Sequence, residues 1–416
     1  MWDHPSGAGN GLGTLSAFRE AECALRVDLC KELDEGKSVA IFHAAGKGCR
    51  LYPLPLIESS KSHIKLPSTK GSSSSYFETV LSAVIRQTSA FSSVLKGRLS
   101  VFWGDQLFFP KKQLVKPSKD IAIFSLKQEH LPPSDTWEED GWHGYGLLGR
   151  DHSGSVRQFE KISSNTFVNC LPLFESGFYK SLGCFSLSKR CLKALLEDFS
   201  EEIQAKKAHL DSDPDFWMAL SHIKKHYLSF FPGKEQHFNR LAKFHDSMSL
   251  EALDIGPKSH FFDFGNLKAF YHNMLSILDE KKPLQHFLGL ENYFDKKTES
   301  ISLHSNIANK EIRKSLLINV QGNSLHARES ILIDTTFETA ICQESISYNV
   351  EEKKLLLDGF TIRSDLVFSN KKIKLIDSIY QDQKKEWEQN KEPYNISWKL
   401  LYELLKAKPK CMPAHQ

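Results

Sequence analysis

The sequence lacks the patterns that mark several large protein classes. Its eight cysteines include no Cys-x-x-Cys pair, so neither a zinc site nor a disulfide framework is indicated. Its formal net charge is only +3, which is too small to indicate nucleic acid or an anionic membrane as a partner. No apolar run approaches the roughly 20 residues of a membrane span, and the first residues lack the basic and apolar segments of a leader. We therefore expect a soluble, cytoplasmic protein.

The chain is long enough for more than one domain. Its 416 residues are 40% hydrophobic and can bury a large core, and chains of this length usually divide into two or three domains. From the changes in sequence texture we expect an N-terminal tail and helix over residues 1–37, an α/β domain over 38–292, a β-rich domain over 293–375 and a helical tail over 376–416.

One apolar segment followed by a glycine loop is the most informative stretch. Residues 39–42 predict a strand buried on both faces, and Gly46 and Gly48 follow it with Lys47 between them. Glycines let a backbone approach phosphates closely, and successive N–H groups beside cations bind anions. The loop is neither a Walker loop nor a Gly-x-Gly-x-x-Gly loop. It predicts nucleoside triphosphate binding, although a tight turn after a strand is an equal alternative.

The loop and its flanks resemble a known signature. Residues 44–54 are similar to Ala-Ala-Gly-x-Gly-Thr-Arg-Leu-x-Pro-Leu of the sugar-1-phosphate nucleotidylyltransferases, with Cys49 in place of threonine. The family's Lys-Pro is matched by Lys65-Leu66-Pro67, which has one extra residue. The resemblance implies catalytic roles for Arg50 and Lys65, and nucleotide binding by Ala45, Gly46, Lys47 and Gly48.

A serine-rich stretch, residues 71–75, follows the signature. The family has a base-selecting loop in this part of the chain, so the resemblance implies that Gly71 binds nucleotide. A flexible loop that ends in a helix N-cap is the other interpretation. The interval to the next strand is shorter than in the family, so the identity of the base stays open.

Two aspartates far apart in the sequence are the candidate metal ligands. Asp105 follows an apolar strand in Gly104-Asp105, and Asp263 lies in Asp263-Phe264-Gly265. The first resembles the family's Gly-Asp motif and the second its Trp-x-Asp-x-Gly segment, which implies that both bind Mg²⁺. Oxygen ligands at the carboxyl ends of parallel strands suit that ion. A turn residue and a helix cap are the alternatives.

A later hairpin and strand supply the candidate sugar residues. Tyr145-Gly146 and Phe159-Glu160-Lys161 resemble the family's Tyr-Gly and Phe-x-Glu-Lys-Pro motifs, with isoleucine in place of the proline. Ser181 stands where the family has a sugar-contacting asparagine. The resemblance implies binding of the sugar 1-phosphate by Gly146, Glu160, Lys161 and Ser181.

The spacing of apolar residues changes beyond about residue 292. Ile312 and Ile318 are six residues apart, as are Leu325, Ile331 and Phe337. This spacing is typical of hexapeptide β-helices, although ordinary strands can produce it by chance. We expect a Rossmann-like α/β sheet of the GT-A nucleotidyltransferase type, then a β-rich, partly left-handed β-helical domain that supports a homo-oligomer.

The resemblance implies a transfer reaction with Mg²⁺ as cofactor. A sugar 1-phosphate would attack a nucleoside triphosphate and release pyrophosphate. Two alternatives remain: a GT-A glycosyltransferase that holds a metal with Asp213 and Asp215, and a homologue that binds nucleotide without catalysis.

Overall fold

The computed structural model describes most of the chain, namely residues 2–3, 7–70, 76–128, 130, 134–135, 137, 142–150, 156–160, 162–170, 177–220, 224–244, 248–368, 371–381, 387–391 and 396–407. The chain divides into two compact units, and each unit is assembled from three separate segments of the sequence. The first unit is Met1–His43, Thr88–Trp103 and Phe108–His260, and the second is Ala44–Gln87, Gly104–Leu107 and Phe261–Gln416. The domain limits expected from the sequence stay predictions.

Strands are numbered along the chain. They are β1 Val39–His43, β2 Lys65–Pro67, β3 Phe77–Thr79, β4 Arg98–Trp103, β5 Gln106–Phe109, β6 Ile121–Lys127, β7 Gly146–Arg150, β8 Val156–Glu160, β9 Phe178–Ser188, β10 Leu250–Asp254, β11 His260–Asp263, β12 Phe294–Asp295, β13 Ser300–Leu303, β14 Asn306–Arg313, β15 Leu316–Arg328, β16 Ile331–Gln343, β17 Ile346–Leu357, β18 Thr361–Phe368, β19 Lys371–Ser378, β20 Asn390–Lys391 and β21 Ile396–Ser397.

The α-helices are numbered in the same way. They are α1 Gly9–Leu25, α2 Leu29–Asp34, α3 Leu54–Ile57, α4 Val80–Thr88, α5 Ser164–Cys170, α6 Lys189–Asp198, α7 Ser200–Ala205, α8 Trp217–Leu220, α9 Lys224–Phe230, α10 Glu235–Ala242, α11 Leu267–Leu275, α12 Pro283–Leu288 and α13 Trp398–Ala407. Among the described residues, no helix is both long and apolar enough to cross a membrane.

A mixed sheet forms the centre of the first unit. Its order is β1-β4-β9-β6-β10, with β7 against β9 and β8 against β7. The pairs β1–β4 and β6–β10 are parallel, and β9 runs antiparallel to both β4 and β6. Helix α1 buries Leu12, Leu15 and Phe18 in the same apolar core as Leu187 of the sheet and Leu192 of α6. The predicted Rossmann-like α/β sheet is confirmed.

Strand β1 differs from the sequence prediction in its burial. Among the described strands it pairs with β4 alone, in the register Val39 to Leu99. Ala40 is exposed and the other residues of β1 are half-buried. The prediction of a strand buried on both faces is therefore wrong, because an apolar run can also occupy the edge of a sheet when neighbouring elements cover it only in part.

A β-solenoid of four coils forms the largest part of the second unit. Leu316 pairs in parallel with Ile331, and Ile331 with Ile346, so each coil has fifteen residues. We number the coils 1 to 4, at residues 299–313, 314–328, 329–343 and 344–358. The predicted β-helical domain is confirmed, but the six-residue repeat is wrong. Self-association through this domain stays a prediction.

The coils turn at two columns of residues in the left-handed backbone region. One column opens each coil, with Glu299, Lys314, Glu329 and Glu344 at φ angles from 46° to 50°. The other lies five residues further on, with φ angles from 48° to 55° at His304, Asn319, Asp334 and Asn349. This conformation disfavours most side chains. Both corners of each coil therefore use a backbone conformation that costs most residues energy.

A column of buried serines joins the coils. Ser300, Ser315, Ser330 and Ser345 are at most 1% exposed. The N–H of Ser315 donates to the hydroxyl of Ser300 at 3.0 Å, and that of Ser330 to the hydroxyl of Ser315 at 3.2 Å. Each coil thus satisfies a buried polar group of the next, as buried N–H groups require.

Candidate active site

The glycine loop begins the second unit. Gly46 has a φ of 107° and Gly48 a φ of 65°, values that strain other residues. A side chain at Gly46 would meet open space, whereas one at Gly48 would lie 3.0 Å from Pro55 and 3.1 Å from the Cβ of Lys61. Ala45 and Lys47 are exposed. Conformation therefore favours glycine at 46, and conformation together with tight packing favours it at 48.

Asp105 and Asp263 converge on Gly265. A methyl group built on Gly265 would lie 2.8 Å from Asp263 Oδ1, 3.2 Å from Asp105 Oδ2 and 3.6 Å from Arg50 Nη2. Because 2.8 and 3.2 Å together make 6.0 Å, the two carboxylate oxygens can be no further apart than that. One Mg²⁺ ion with metal–oxygen bonds of about 2.1 Å spans two oxygens up to about 4.2 Å apart, so the two carboxylates lie close enough to be brought onto one ion by a small side-chain movement.

Backbone hydrogen bonds hold the two aspartates in place. Asp105 lies in the turn before β5, and its carbonyl oxygen accepts from the N–H of Phe264 at 2.8 Å. Asp263 ends β11, and its Oδ1 accepts from the N–H of Gly265 at 2.7 Å. The Nδ2 of Asn273 on α11 donates to the carbonyl oxygen of Asp263 at 2.7 Å. The positions of both carboxylates are therefore set by rigid elements.

Two cations accompany the carboxylates. Lys61 Nζ donates to Asp105 Oδ2 at 2.8 Å, and both side chains are largely buried, with 17% and 8% exposed. Arg50 lies on the short helix Cys49–Leu51 directly after the glycine loop and is exposed. We call Arg50, Lys61, Asp105, Asp263 and Gly265 the carboxylate cluster.

Sequence reasoning missed Lys61. The Lys-x-Pro pattern directed the assignment to Lys65, although Lys61 is the first lysine after Arg50. In the structure the ammonium group of Lys65 lies 2.8 Å from Asp334 Oδ2 and 3.4 Å from Glu58 Oε1. Burial favours the neutral amine, but the hydrogen bond to Asp334 and the charge of Glu58 outweigh it and raise the pKa of Lys65. The catalytic role of Lys65 stays a prediction.

The protonation of Asp263 reflects its surroundings. Burial raises the pKa of this carboxyl group to about 6, and the charge of Asp105 acts in the same direction. The N–H of Gly265 and the charges of Arg50 and Lys61 oppose the shift without cancelling it. Two carboxylates at this distance repel each other. A bound divalent cation would remove that repulsion, so the donor set fits Mg²⁺.

The raised pKa predicts a pH-dependent stability. Between the ordinary aspartate pKa near 4 and the folded value of about 6, the folded state binds a proton that the unfolded state has lost. The contribution of Asp263 to stability should therefore fall as the pH rises through this window. We expect the Tm of the metal-free protein, relative to that of Asp263→Asn, to decrease from pH 4 to pH 7. Thermal melts across that range measure it, and a constant difference would contradict the assignment.

A second group of predicted residues meets in the first unit. A methyl group on Gly146 would lie 2.5 Å from Glu160 Oε2 and 3.3 Å from the Cβ of Ser181. Glu160 and Ser181 are 4% and 3% exposed, and Gln158 Nε2 donates to Glu160 Oε2 at 3.1 Å. We call Gly146, Gln158, Glu160 and Ser181 the Gly146 cluster. Their sugar-binding role stays a prediction.

The remaining residues predicted from the sequence to form a site lie either outside the described residues or outside both clusters. Gly71 and Lys161 lie outside the described residues, as does the side chain of Asp213. Asp215 is 2% exposed, and its Oδ2 accepts from the N–H of Asp211 at 3.0 Å. A carboxylate buried in this way does not favour the glycosyltransferase alternative, which needs an accessible metal.

Comparisons with known proteins add little to this geometry. No family model matches the chain, and no curated protein matches it. One solved structure with a similar arrangement is described as a mannose-1-phosphate geranyltransferase from Thermus thermophilus. The alignment covers 89% of this chain and 98% of that chain, with 13% identity and a TM-score of 0.38. A likeness of this strength carries no inference about function.

Proposed function

We propose that the protein is a nucleotidyltransferase that joins a sugar 1-phosphate to a nucleoside triphosphate and releases pyrophosphate. The carboxylate cluster is the observation that supports this most directly. Asp105 and Asp263 are 158 residues apart in the sequence, yet both carboxylates lie against Gly265 with a guanidinium group beside them. Paired carboxylates with adjacent cations suit a polyphosphate and its metal ion.

Asp105 and Asp263 would hold the Mg²⁺ ion. Mg²⁺ is usually bound by one or two carboxylates together with substrate phosphates, which matches the donors present. When bound, the ion supplies neutralisation of the negative charge on the phosphates. The N–H of Gly265 keeps Asp263 Oδ1 in place.

The reaction needs no protein nucleophile. An oxygen of the sugar phosphate attacks the α-phosphorus of the triphosphate, and the bond from that phosphorus to the β-phosphate oxygen breaks. Pyrophosphate leaves with the bonding electrons, and no proton has to be transferred. The residues of the chain act by alignment and by compensating charge.

Arg50 and Lys61 would compensate the charge of the leaving pyrophosphate. Arg50 is exposed and adjoins the glycine loop, so its planar donors are accessible to two phosphate oxygens. Lys61 is paired with Asp105. Binding of a cation at Asp105 would free its ammonium group for a phosphate.

The Gly146 cluster is proposed to bind the sugar. Glu160 offers carboxylate oxygens to sugar hydroxyl groups, and Ser181 offers a hydroxyl group. A methyl group at 146 would lie 2.5 Å from Glu160 Oε2, so any larger residue there would displace the Glu160 carboxylate. The identities of the sugar and the base are left to experiment.

The test is an assay for pyrophosphate. The purified protein is incubated with Mg²⁺, each nucleoside triphosphate in turn, and a panel of sugar 1-phosphates. We expect release of pyrophosphate and formation of a nucleotide-sugar for at least one pair. A parallel incubation supplies nucleotide-sugars instead, and their hydrolysis or transfer there, without pyrophosphate release in the first assay, would favour a glycosyltransferase. Nucleotide binding without turnover would indicate a non-catalytic homologue.

A conservative change at Arg50 should be costly. Arg50→Lys keeps the charge but loses the fork of donors that can bind two phosphate oxygens. We expect activity to fall by more than about tenfold, which corresponds to about 1.4 kcal/mol of transition-state stabilisation. Initial rates of pyrophosphate release measure the effect. An exposed arginine outside the cluster, Arg19 on α1, gives the control Arg19→Lys, and equal activity of the two variants would refute the assignment.

A further inference from the structure

Two segments carry the charged groups of the carboxylate cluster. The lysine arm, residues 58–65, contains Lys61, and the aspartate arm, residues 263–275, contains Asp263. Each arm continues beyond the cluster to a contact with the β-solenoid. The two contacts fall on the same coil.

The lysine arm is fixed to coil 3 by an ion pair. Lys65 Nζ lies 2.8 Å from Asp334 Oδ2, and Asn319 Nδ2 of coil 2 donates to Asp334 Oδ1 at 2.6 Å. The hydroxyl of Tyr348, in coil 4, donates to Glu58 Oε1 at 2.7 Å and accepts from the N–H of Lys65 at 3.2 Å. Both ends of the arm are therefore held, with Lys61 between them.

The aspartate arm reaches the other corner of coil 3. Tyr271 on α11 is 2% exposed, and its hydroxyl donates to the carbonyl oxygen of Glu329 at 2.7 Å. The same helix holds the carbonyl of Asp263 through Asn273. A buried tyrosine hydroxyl needs a partner, so this contact fixes how far α11 lies from the coil.

Glu329 and Asp334 are the two left-handed corners of coil 3, with φ angles of 48° each. The side of the coil between them is buried on both faces. Leu332 lies in the solenoid interior, while Ile331 and Ile333, which point to the opposite face as alternate strand residues do, are 0% exposed. Coil 3 is also paired with coils 2 and 4. The distance between Glu329 and Asp334 is therefore fixed by the packing of coil 3.

We propose that coil 3 sets the spacing of the carboxylate cluster by holding the lysine arm at Asp334 and the aspartate arm at Glu329. The proposal rests on the function proposed above, since it gives that site its positioning residues. Lys65 and Tyr271 then act through Lys61 and Asp263 and do not touch the substrate. In this proposal the solenoid positions the charged groups on which catalysis depends.

The test uses Asp334→Asn in the full-length protein. Asparagine tolerates the left-handed corner as aspartate does, so the change removes the charge and keeps the turn. The matched control is Glu338→Gln, which makes the same chemical change at an exposed residue of coil 3. Two quantities are measured for each variant: amide hydrogen exchange over residues 58–65, and kcat and KM for pyrophosphate release.

We expect Asp334→Asn to speed exchange over residues 58–65 by about tenfold and to lower kcat by about tenfold, with the KM for the triphosphate changed by less than about twofold. Glu338→Gln should change neither quantity. Unchanged exchange over residues 58–65 would overturn the positioning role, and so would an unchanged kcat. If the wild-type protein releases no pyrophosphate from any pair, the proposed function fails, and the exchange measurement alone decides whether coil 3 holds the arm.

A double-mutant cycle separates positioning from catalysis at Lys65. If Lys65 acts only through Asp334, then Lys65→Met, Asp334→Asn and the double variant should lose the same activity within about twofold. If Lys65 touches the substrate, Lys65→Met should lose far more than Asp334→Asn, and the two losses should multiply. That second result would overturn the assignment of Lys65 as a positioning residue.

Discussion

Asp263→Asn should abolish Mg²⁺-dependent pyrophosphate release while the protein stays folded. The asparagine can still accept from the N–H of Gly265, but it removes one of the two charged ligands. We expect kcat to fall at least about 100-fold, or about 2.7 kcal/mol. The metal-free protein should become more stable at pH 7, because the half-buried negative charge beside Asp105 is lost. Initial rates and thermal melts of the same preparation measure both effects.

Asp358→Asn is the matched control for this change. Asp358 is exposed at the end of coil 4, so its replacement should alter neither activity nor Tm. A second check is the effect of Mg²⁺ on the melts. The ion should raise the Tm of the wild-type protein and leave that of Asp263→Asn unchanged. An Asp263→Asn variant with normal turnover and a lower Tm would show that Asp263 only stabilises the turn before α11.

Gly265→Ala, which adds only one methyl group, should lower kcat nearly as much as Asp263→Asn. Gly265 does not lie in the left-handed backbone region, so alanine fits the backbone. Its methyl group would lie 2.8 Å from an oxygen of Asp263 and 3.2 Å from one of Asp105, where it would displace the Asp263 carboxylate. We expect kcat to fall at least about 100-fold, with far-ultraviolet circular dichroism unchanged. Pyrophosphate assays over a range of Mg²⁺ concentrations measure the loss.

Gly13→Ala serves as the control for an added methyl group. Gly13 lies within α1, and a methyl group there would be 3.8 Å from Ala8 and 4.0 Å from His43, which are ordinary packing distances. The variant should retain full activity. Near-normal turnover by Gly265→Ala would place the chemistry somewhere other than the carboxylate cluster.

The two aspartates could be anticipated from the sequence because each lies in a motif that resembles one of the nucleotidylyltransferase family. Asp105 follows an apolar strand, and Asp263 precedes a glycine and a capped helix. The resemblance implies that both bind the same ion, and the structure brings both carboxylates against Gly265. Their role as metal ligands stays a prediction.

Lys61 could not be identified in this way. Which lysine meets Asp105 depends on how the chain folds back after the cluster, and Lys61 and Lys65 lie only four residues apart. The distinction arises from the solenoid, because Asp334 pairs with Lys65 and leaves Lys61 to Asp105. No local pattern contains that information.

The repeat length was missed for a different reason. The six-residue spacing predicts the solenoid only if every apolar residue in it points to the interior. Leu316 and Ile318 are fully buried, yet they flank the interior residue Leu317 and so lie on the outer face. Because one side of the coil is covered from outside, its apolar residues obscure the fifteen-residue period.

The serine column influences the order in which the coils of the solenoid unfold. If coil 3 opened alone, the N–H of Ser345 would lose the hydroxyl of Ser330, and the hydroxyl of Ser315 would lose the N–H of Ser330. Such buried orphan groups are costly, so the stack unravels inward from its ends, as stacked repeats do. The coil that bears Glu329 and Asp334 has a neighbour on each side. Fraying of coil 4 would therefore release the contact of Tyr348 with the lysine arm before it reached Glu329 and Asp334.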